Sequence, residues 1–429
     1  MERRRYAVCG VSSRAIGMYI GPLMKNFTHC AELVGMLDID PQRFIVCRNH
    51  VPETKDVPTY LADDFEKMLE ETRPDALIVT CMDCAHVRYV LGGLAHDLDV
   101  ICEKPMTTNT ADALKVLDAE AKSKGKVICT FNYRSNPVHT KLRELVFDGK
   151  IGRVTHVDLN WYIDIRHGSS YFHRWNRMRE NSGSLSIHKA SHHFDLVNWW
   201  IDGIPEAVHA FGALNHYGPD GEFNPSRKDG RKCDTCKEML QCKYESTWAT
   251  RNSAIPIVDD HITAFMSKEK LFTTYSPHMC MFDSEINIYD TFIANVRYRN
   301  GALLNYSANF STPYEGYRLA INGTRGRLET MEFGGSGGAR LPKFHEGSQY
   351  IDYFPIFEGR ERINVPVNAG GHGGGDPIIL EDIFLGEDPR RKFDILAKSV
   401  DGLRAISIGD AVFNSIKNGG VQDLTGFIR

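Results

Sequence analysis

Over its first 131 residues the chain alternates short, charge-poor apolar runs with segments of helical period. Tyr6–Val11, Leu33–Leu37, Ala76–Cys81, Asp99–Cys102 and Val127–Phe131 read as strands. Ala15–Met24, Pro41–Asn49, Asp64–Thr72, His86–His96 and Ala111–Lys124 carry apolar residues at helical spacing between them. A helix between each pair of strands returns the chain to its starting edge, so the strands pair in parallel through right-handed crossovers. The expected class is α/β, with a parallel sheet at the amino end.

The texture changes after Asn132. Pro137–Asp148 reads as a helix, Val154–Ile163 as a long alternating strand, and His188–Trp200 as another helix. From Ala207 strands dominate: His261–Met266, Leu271–Tyr275, Ile286–Tyr298, Ala302–Phe310, Tyr317–Asn322 and Gly326–Glu329, with the hairpin signal Arg299-Asn300-Gly301. Pro377 to Lys417 is helical again. The division expected is 1–131 and 132–429, the second part an α+β domain on a large, open, mostly antiparallel sheet, with excursions near 213–258 and 332–375. Among 429 residues, 51 Lys plus Arg oppose 55 Asp plus Glu, which leaves no basic footprint for nucleic acid. No run of 18 apolar residues is present to span a bilayer. Met1–Gly10 has a basic run without a signal peptide's apolar stretch, and the 11 cysteines are an odd number, several inside apolar runs. A reduced, cytoplasmic setting is expected.

The first strand runs into Gly10-Val11-Ser12-Ser13-Arg14-Ala15-Ile16-Gly17 and a helix. That is the position of a dinucleotide turn: Gly10 permits the tight bend, and helix-start N–H groups face a pyrophosphate. Ser12 stands where a second Gly is usual; its small side chain still allows close approach. Asp38, at the end of the second strand, lies where a carboxylate meets the adenosine ribose, which favours NAD over NADP. Ser13, Arg14, Thr80, His86, Glu103 and Asn132 join the expected cofactor contacts.

After the fourth strand comes Cys102-Glu103-Lys104-Pro105, and later His188-Lys189-Ala190-Ser191-His192-His193-Phe194-Asp195. With the joint Gly149-Lys150-Ile151-Gly152-Arg153-Val154, these motifs resemble the Gfo/Idh/MocA oxidoreductases, relatives of glucose–fructose oxidoreductase and inositol dehydrogenase. The resemblance covers nearly the whole chain. It implies a Rossmann NAD domain, Lys104 between nicotinamide and substrate, His192 as the catalytic histidine and Asp195 as the helical carboxylate. Many relatives have Asp where this chain has His188. Relatives of this type oxidise the C3 hydroxyl of sugars, or use that oxidation transiently to cleave glycosides. They often pair through the open sheet face, so a homo-oligomer, dimer or tetramer, is expected.

Oxidising a secondary alcohol needs a base for the O–H proton and a donor against the developing alkoxide. On one helix, His188, His192 and Asp195 fall at i, i+4 and i+7 and share a face. That face offers a base, a second donor or acceptor, and an orienting carboxylate; Lys104 supplies the cation. Glu103 is expected to pair with Lys104 or cap backbone. Asp164, His167, Tyr171, Arg174 and Trp175 are a dense polar and aromatic group suited to a sugar ring. Arg174, Arg177 and Arg179 could take an anionic substituent, with a solvated loop as the plain alternative. Gly-rich backbone would let His372 approach a ligand, unless Asp376 simply caps a helix there.

Cys233-x2-Cys236-x5-Cys242 has metal-ligand spacing. A structural zinc is expected on these three thiolates, with Cys280 as the fourth ligand and His278 or His216 as substitutes. The alternative is unligated thiols. The functional reading is an NAD-dependent oxidoreductase acting on a ring hydroxyl, C3, of a sugar or glycoside. Two rivals stand beside it: a redox-neutral NAD-dependent glycosidase or lyase, and a non-catalytic sugar or NAD sensor.

Overall fold

The computed structural model describes residues 3–244, 276, 278–334, 348–366 and 371–427. The first six strands are β1 Arg4–Cys9, β2 Ala31–Asp38, β3 Thr59–Leu61, β4 Ala76–Val79, β5 Asp99–Cys102 and β6 Val127–Cys129. They pair in parallel in the order β6-β5-β4-β1-β2-β3. Chain order reverses between β1 and β4, so a crevice opens outside their carboxyl ends. Every side chain of Ala76–Val79 is buried, as a sheet covered on both faces requires.

The second sheet comprises β7 Val154–Asp164, β8 Pro205–Ala213, β9 Thr291–Tyr298, β10 Leu303–Thr312, β11 Glu315–Gly323, β12 Gly326–Gly334, β13 Ser348–Pro355, β14 Glu361–Pro366 and, after β15 Ala397–Lys398, the short β16 Gln422–Asp423. Its order is β14-β13-β12-β11-β7-β10-β9-β8-β16. All pairs are antiparallel except β7 with β10. The alternation of β7 sends Val157, Leu159, Trp161 and Ile163 inward. The helix Ala190–Ile201 is buried on every side, as a helix enclosed by other elements must be. On it, His193 stacks on Trp161 at 3.7 Å and meets the Tyr306 hydroxyl at 2.7 Å.

The carboxyl-terminal part returns to the first sheet. β15 pairs antiparallel with β6. Helix Gly371–Leu385 contributes Ile379, Leu380, Ile383 and Phe384 to the core beneath Tyr6, Ile16 and Phe27. Phe384 lies 5.2 Å from Tyr6 and 4.8 Å from Phe27, ring to ring; each such buried side chain contributes roughly 1.5–3 kcal/mol.

Two expected helices are divided. Lys189 separates Leu185–His188 from Ala190–Ile201. The expected Pro377–Lys417 helix is Gly371–Leu385 and Ser399–Asn418, with β15 between. The excursion near 332–375 contributes β13 and β14 to the sheet. The expected strands His261–Met266 and Leu271–Tyr275 lie outside the described residues. Among the described residues no helix is long and apolar enough to cross a membrane.

Candidate active site

A cleft of about 420 Å³ runs along the carboxyl ends of the first sheet to the amino end of the second domain. Gly10, Ser12, Ser13, Arg14 and Asp38 line one end; His167, Tyr171, Arg174 and Trp175 line the other; Lys104, His188 and His192 lie on the same wall.

At the first end, Gly10 adopts φ +96°, and a Cβ there would stand 2.4 Å from the backbone of Cys81. The turn therefore needs glycine. Thr80 locks it by donating its hydroxyl to the Gly10 carbonyl at 2.5 Å. The Ser12 hydroxyl caps the next helical turn by accepting from the Ala15 N–H at 3.1 Å. The Asp38 carboxylate accepts from Val11 N–H at 2.6 Å and Asp40 N–H at 2.9 Å. Burial raises its pKa against these bonds and Arg43. A glycine bend, two small hydroxyl residues and a carboxylate at the next strand end fit a dinucleotide. Sequence reasoning missed Arg43, which also lines this end, on the helix after Asp38.

Arg14 donates from Nε to Glu103 Oε1 at 2.7 Å, and Tyr19 donates to the same oxygen at 2.9 Å. Glu103 thus pairs with Arg14, touching Lys104 only through the backbone N–H, at 3.2 Å. Of the two roles expected for Glu103, the side-chain pair with Lys104 is not formed, and the backbone contact is. Asn132 lines the cleft and donates to Asp376 at 2.6 Å. His86 holds the backbone, with one ring nitrogen 2.7 Å from the Pro105 carbonyl and the other 3.1 Å from that of Cys81. The Lys104–Pro105 peptide is cis.

At the centre, Lys104 Nζ donates to the His188 carbonyl at 3.1 Å. Burial lowers the Lys104 pKa; Asp83 and Glu103 raise it in part. His188 Nδ1 lies 2.5 Å from Asp83 Oδ2, while Nε2 faces the Asn176 amide at 3.2 Å. Burial pushes the Asp83 carboxyl up to about 7, opposed by His86 and Lys104, and pushes His188 well below the ordinary imidazole range. Sequence reasoning missed Asp83. Its place, in the first turn of a helix that follows a switch-point strand, is the signal that could have found it. His192 packs between Phe131 and Tyr133, at ring distances of 5.8 and 4.7 Å. Lys189, also in the cleft wall, donates to the Tyr133 hydroxyl at 3.4 Å.

The shared helical face of His188, His192 and Asp195 is not formed. The break at Lys189 turns His188 toward Asp83. Asp195 is withdrawn into the core by Arg134, which donates Nε to Oδ2 at 2.8 Å and Nη2 to Oδ1 at 2.5 Å. Asp195 is fully buried and lies outside the cleft lining.

At the far end, Asp164 is a helix cap, accepting from Arg166 N–H at 2.9 Å and His167 N–H at 2.8 Å, and it is fully buried. It does not line the cleft. Arg174 folds back on Ser170, reaching its carbonyl and hydroxyl at 3.1 Å each. Arg177 is neither a solvated loop residue nor an anion site: it is buried against Asp283 at 2.8 Å and Glu285 at 3.1 Å. Arg179 pairs with Asp410 at 3.2 Å. The side chain of His372 lies outside the described residues. Asp376 sits inside helix Gly371–Leu385 and faces Arg14 and Asn132, so it does not cap that helix.

Among the described residues no group of three or more Cys, His, Asp or Glu side chains converges to hold a metal ion. The expected tetrahedral zinc set on Cys233, Cys236, Cys242 and Cys280 is therefore not assembled. Cys242 and Cys280 are packed into the apolar core. Cys233 and Cys236 are partly exposed on their turn; Cys233 faces His173 Nδ1 at 3.8 Å and Cys236 faces Glu238 at 3.5 Å. His216 Nε2 meets the Tyr244 hydroxyl at 2.5 Å.

Levoglucosan dehydrogenase, in a complex with NADH and L-sorbose, shares this fold, with a TM-score of 0.66 at 15% identity over 99% of each chain. So does the WlbA dehydrogenase of Bordetella pertussis, in a complex with NADH and UDP-GlcNAcA, with a TM-score of 0.64 at 17% identity over 99% of each chain. In sequence, the chain is 53% identical to YteT of Bacillus subtilis (strain 168) over 409 residues, 95% of each protein. It is 32% identical over 136 residues to an inositol 2-dehydrogenase of Gluconacetobacter diazotrophicus, 30% of this chain and 37% of that protein. Residues 4–132 match the oxidoreductase family's NAD-binding Rossmann fold, and residues 143–424 match its C-terminal alpha/beta domain. With both halves matched in order, the chain belongs to the Gfo/Idh/MocA family of NAD-binding oxidoreductases.

Proposed function

We propose that this protein is an NAD-dependent dehydrogenase that oxidises a ring hydroxyl, at C3, of a sugar or glycoside. The observation that carries the reading is a single cleft in which a glycine turn and Asp38 at one end continue into Lys104, His192 and the Asp83–His188 pair, and then into an aromatic end. The bound dinucleotide supplies the hydride acceptor. Lys104 holds the substrate oxygen as it becomes anionic, fixed by the His188 carbonyl. His192 takes the hydroxyl proton from its aromatic cradle. Tyr171 and Trp175 flank the ring, as aromatic planes do in carbohydrate sites. Exposed Phe211, Ile293 and Leu303 on the second sheet support association of copies.

The test is a panel of pyranosides and their glycosides, followed for NADH and released aglycone together. Net NADH without aglycone is the expected result. Aglycone without net NADH assigns the redox-neutral glycosidase instead, and neither signal assigns a sensor.

Two further outcomes are expected. NAD binds more tightly than NADP, because the Asp38 carboxylate repels a 2′-phosphate; Asp38→Ala narrows the gap, since Arg43 then faces that phosphate unopposed. Titration of both dinucleotides checks it, and an unchanged ratio removes Asp38 from the discrimination. The second concerns pH. The negative charge of Asp83 raises the Lys104 pKa, so Asp83→Asn lowers it further below its ordinary value. The ammonium is then lost at lower pH, and the alkaline limb of the kcat/KM profile moves to lower pH. A limb that stays in place rules out Asp83 as the counter-charge.

A further inference from the structure

The catalytic groups proposed above are buried: His192 is 3% exposed. Oxidation of an alcohol releases a hydride and a proton. The hydride goes to the nicotinamide dinucleotide; the proton must reach water.

One line of hydrogen bonds leads from the cleft outward. Tyr171, 5% exposed, lines the cleft, and its hydroxyl lies 2.8 Å from His167 Nε2. His167 Nδ1 lies 3.0 Å from both carboxylate oxygens of Glu315, at the start of β11. The side chains of His167 and Glu315 are 27% and 25% exposed, so the line ends at solvent. A carboxylate on Nδ1 keeps the proton there and leaves the Nε2 lone pair for the phenol, as an orienting carboxylate does for a base histidine. The helix Ile165–His173 builds the pair by placing positions 167 and 171 one turn apart, and Asp164 fixes that helix at its start.

Resting on the dehydrogenase reading, we propose that Tyr171, His167 and Glu315 are the path by which the substrate's proton leaves the cleft. His192 hands on the proton it took from the substrate hydroxyl across the cleft that both residues line, and the Tyr171 oxygen accepts it as the phenol's own proton passes to His167 Nε2. The imidazolium, balanced by Glu315, then releases a proton to water. The substrate C–H and O–H bonds break, C=O forms, the dinucleotide is reduced by the hydride, and one proton appears in solvent. Tyr171 is the residue that faces substrate; His167 and Glu315 act through it. Burial holds the Tyr171 phenol up at about 12, against Lys189 and Arg174, so it passes a proton on without remaining ionised. The His188 ring lies against the same phenol, 5.4 Å away. Burial, and secondarily the Glu315 carboxylate, raises the Glu332 carboxyl above its ordinary value.

The test compares the full-length protein with Tyr171→Phe, His167→Gln and Glu315→Gln. Near neutral pH, Tyr171→Phe and His167→Gln should lower kcat by about 10²-fold, at the low end for a lost proton-transfer group, with KM little changed. His167→Gln should recover as buffer imidazole is added, because a soluble base replaces the missing acceptor. In protein without dinucleotide, ¹⁵N NMR should find His167 protonated on Nδ1, and Glu315→Gln should shift that equilibrium. A rise in KM with kcat unchanged means these residues only bind the sugar, and overturns the proposal while leaving the dehydrogenase standing. An Nε2-protonated His167 does the same. A wild-type protein that reduces NAD with none of the sugars and glycosides of the panel overturns the dehydrogenase reading and the proposal together.

Discussion

Lys104→Ala should lower turnover by about 10²–10⁴-fold, the usual range for a positioned acid–base group, while dinucleotide binding persists. The argument is positional. Lys104 follows β5 at the carboxyl edge of the first sheet, and its ammonium is held by the His188 carbonyl of the second domain at 3.1 Å. It therefore sits at the junction of the two domains, where the proposed reaction has substrate and nicotinamide meet. Glu103 and Asp83 keep a cation favourable at a site whose burial opposes it. Removing the side chain leaves Asp83 facing an anionic transition state without this cation, while Glu103 keeps its Arg14 partner. The glycine turn and Asp38 are held by Thr80 and by the Val11 and Asp40 N–H groups rather than by Lys104, so titrated NAD affinity should stay within a few-fold. Lys104→Arg should not restore the rate, because a planar guanidinium cannot occupy the place of a compact ammonium. Turnover close to wild type in Lys104→Ala would exclude Lys104 from the chemistry.

Why part of the cleft lining is legible in sequence, and its geometry is not, is clear from particular pairs. Gly10, Asp38 and Lys104 are each local to a strand end. Parallel strands bring those ends to one edge, so a reading of strand–helix alternation already places them together. The pairs that decide each residue's role are long-range: Asp83 with His188, Arg14 with Glu103, Arg134 with Asp195 and His167 with Glu315. No spacing rule connects residues 105 apart, as Asp83 and His188 are. The stretch from His188 to Asp195 contains neither Gly nor Pro, so its period reads as one helix; tertiary contacts break it at Lys189. Strands β3, β15 and β16, of two or three residues, are too short to show a period. The Cys233–Cys242 spacing looked like a metal site because spacing records only what a loop permits. Burial of Cys242 in an apolar cluster is information that appears only with the fold.

Asp195 separates a catalytic from a structural carboxylate, and the expected result is structural. Arg134 and Asp195 have side chains 3% and 1% exposed, joined by two parallel hydrogen bonds. Arg134 comes from the turn Asn132–Ser135, just beyond the first domain's last parallel strand. Asp195 comes from the central helix of the second domain, and Asp401, 3.4 Å from Arg134, from the final long helix. The guanidinium also stacks over Trp199 at 5.4 Å. Arg134, Asp195 and Asp401 therefore tie three elements together beside the domain junction. Breaking a buried pair by removing one partner costs about 3–5 kcal/mol, mostly from the charge left behind. Arg134→Ala strands Asp195 with no counter-charge and should fall in the upper part of that range. Asp195→Asn retains Asp401 as a partial partner and should fall in the lower part. Because a chain of this size need not unfold in one step, the readout is the urea midpoint followed by fluorescence and by far-ultraviolet circular dichroism together. The double variant Arg134→Met with Asp195→Leu should regain most of the lost midpoint, since an apolar pair of similar volume removes both desolvation costs. If Asp195→Asn keeps the wild-type midpoint yet loses turnover by two orders of magnitude, the carboxylate acts on the reaction and the structural assignment fails.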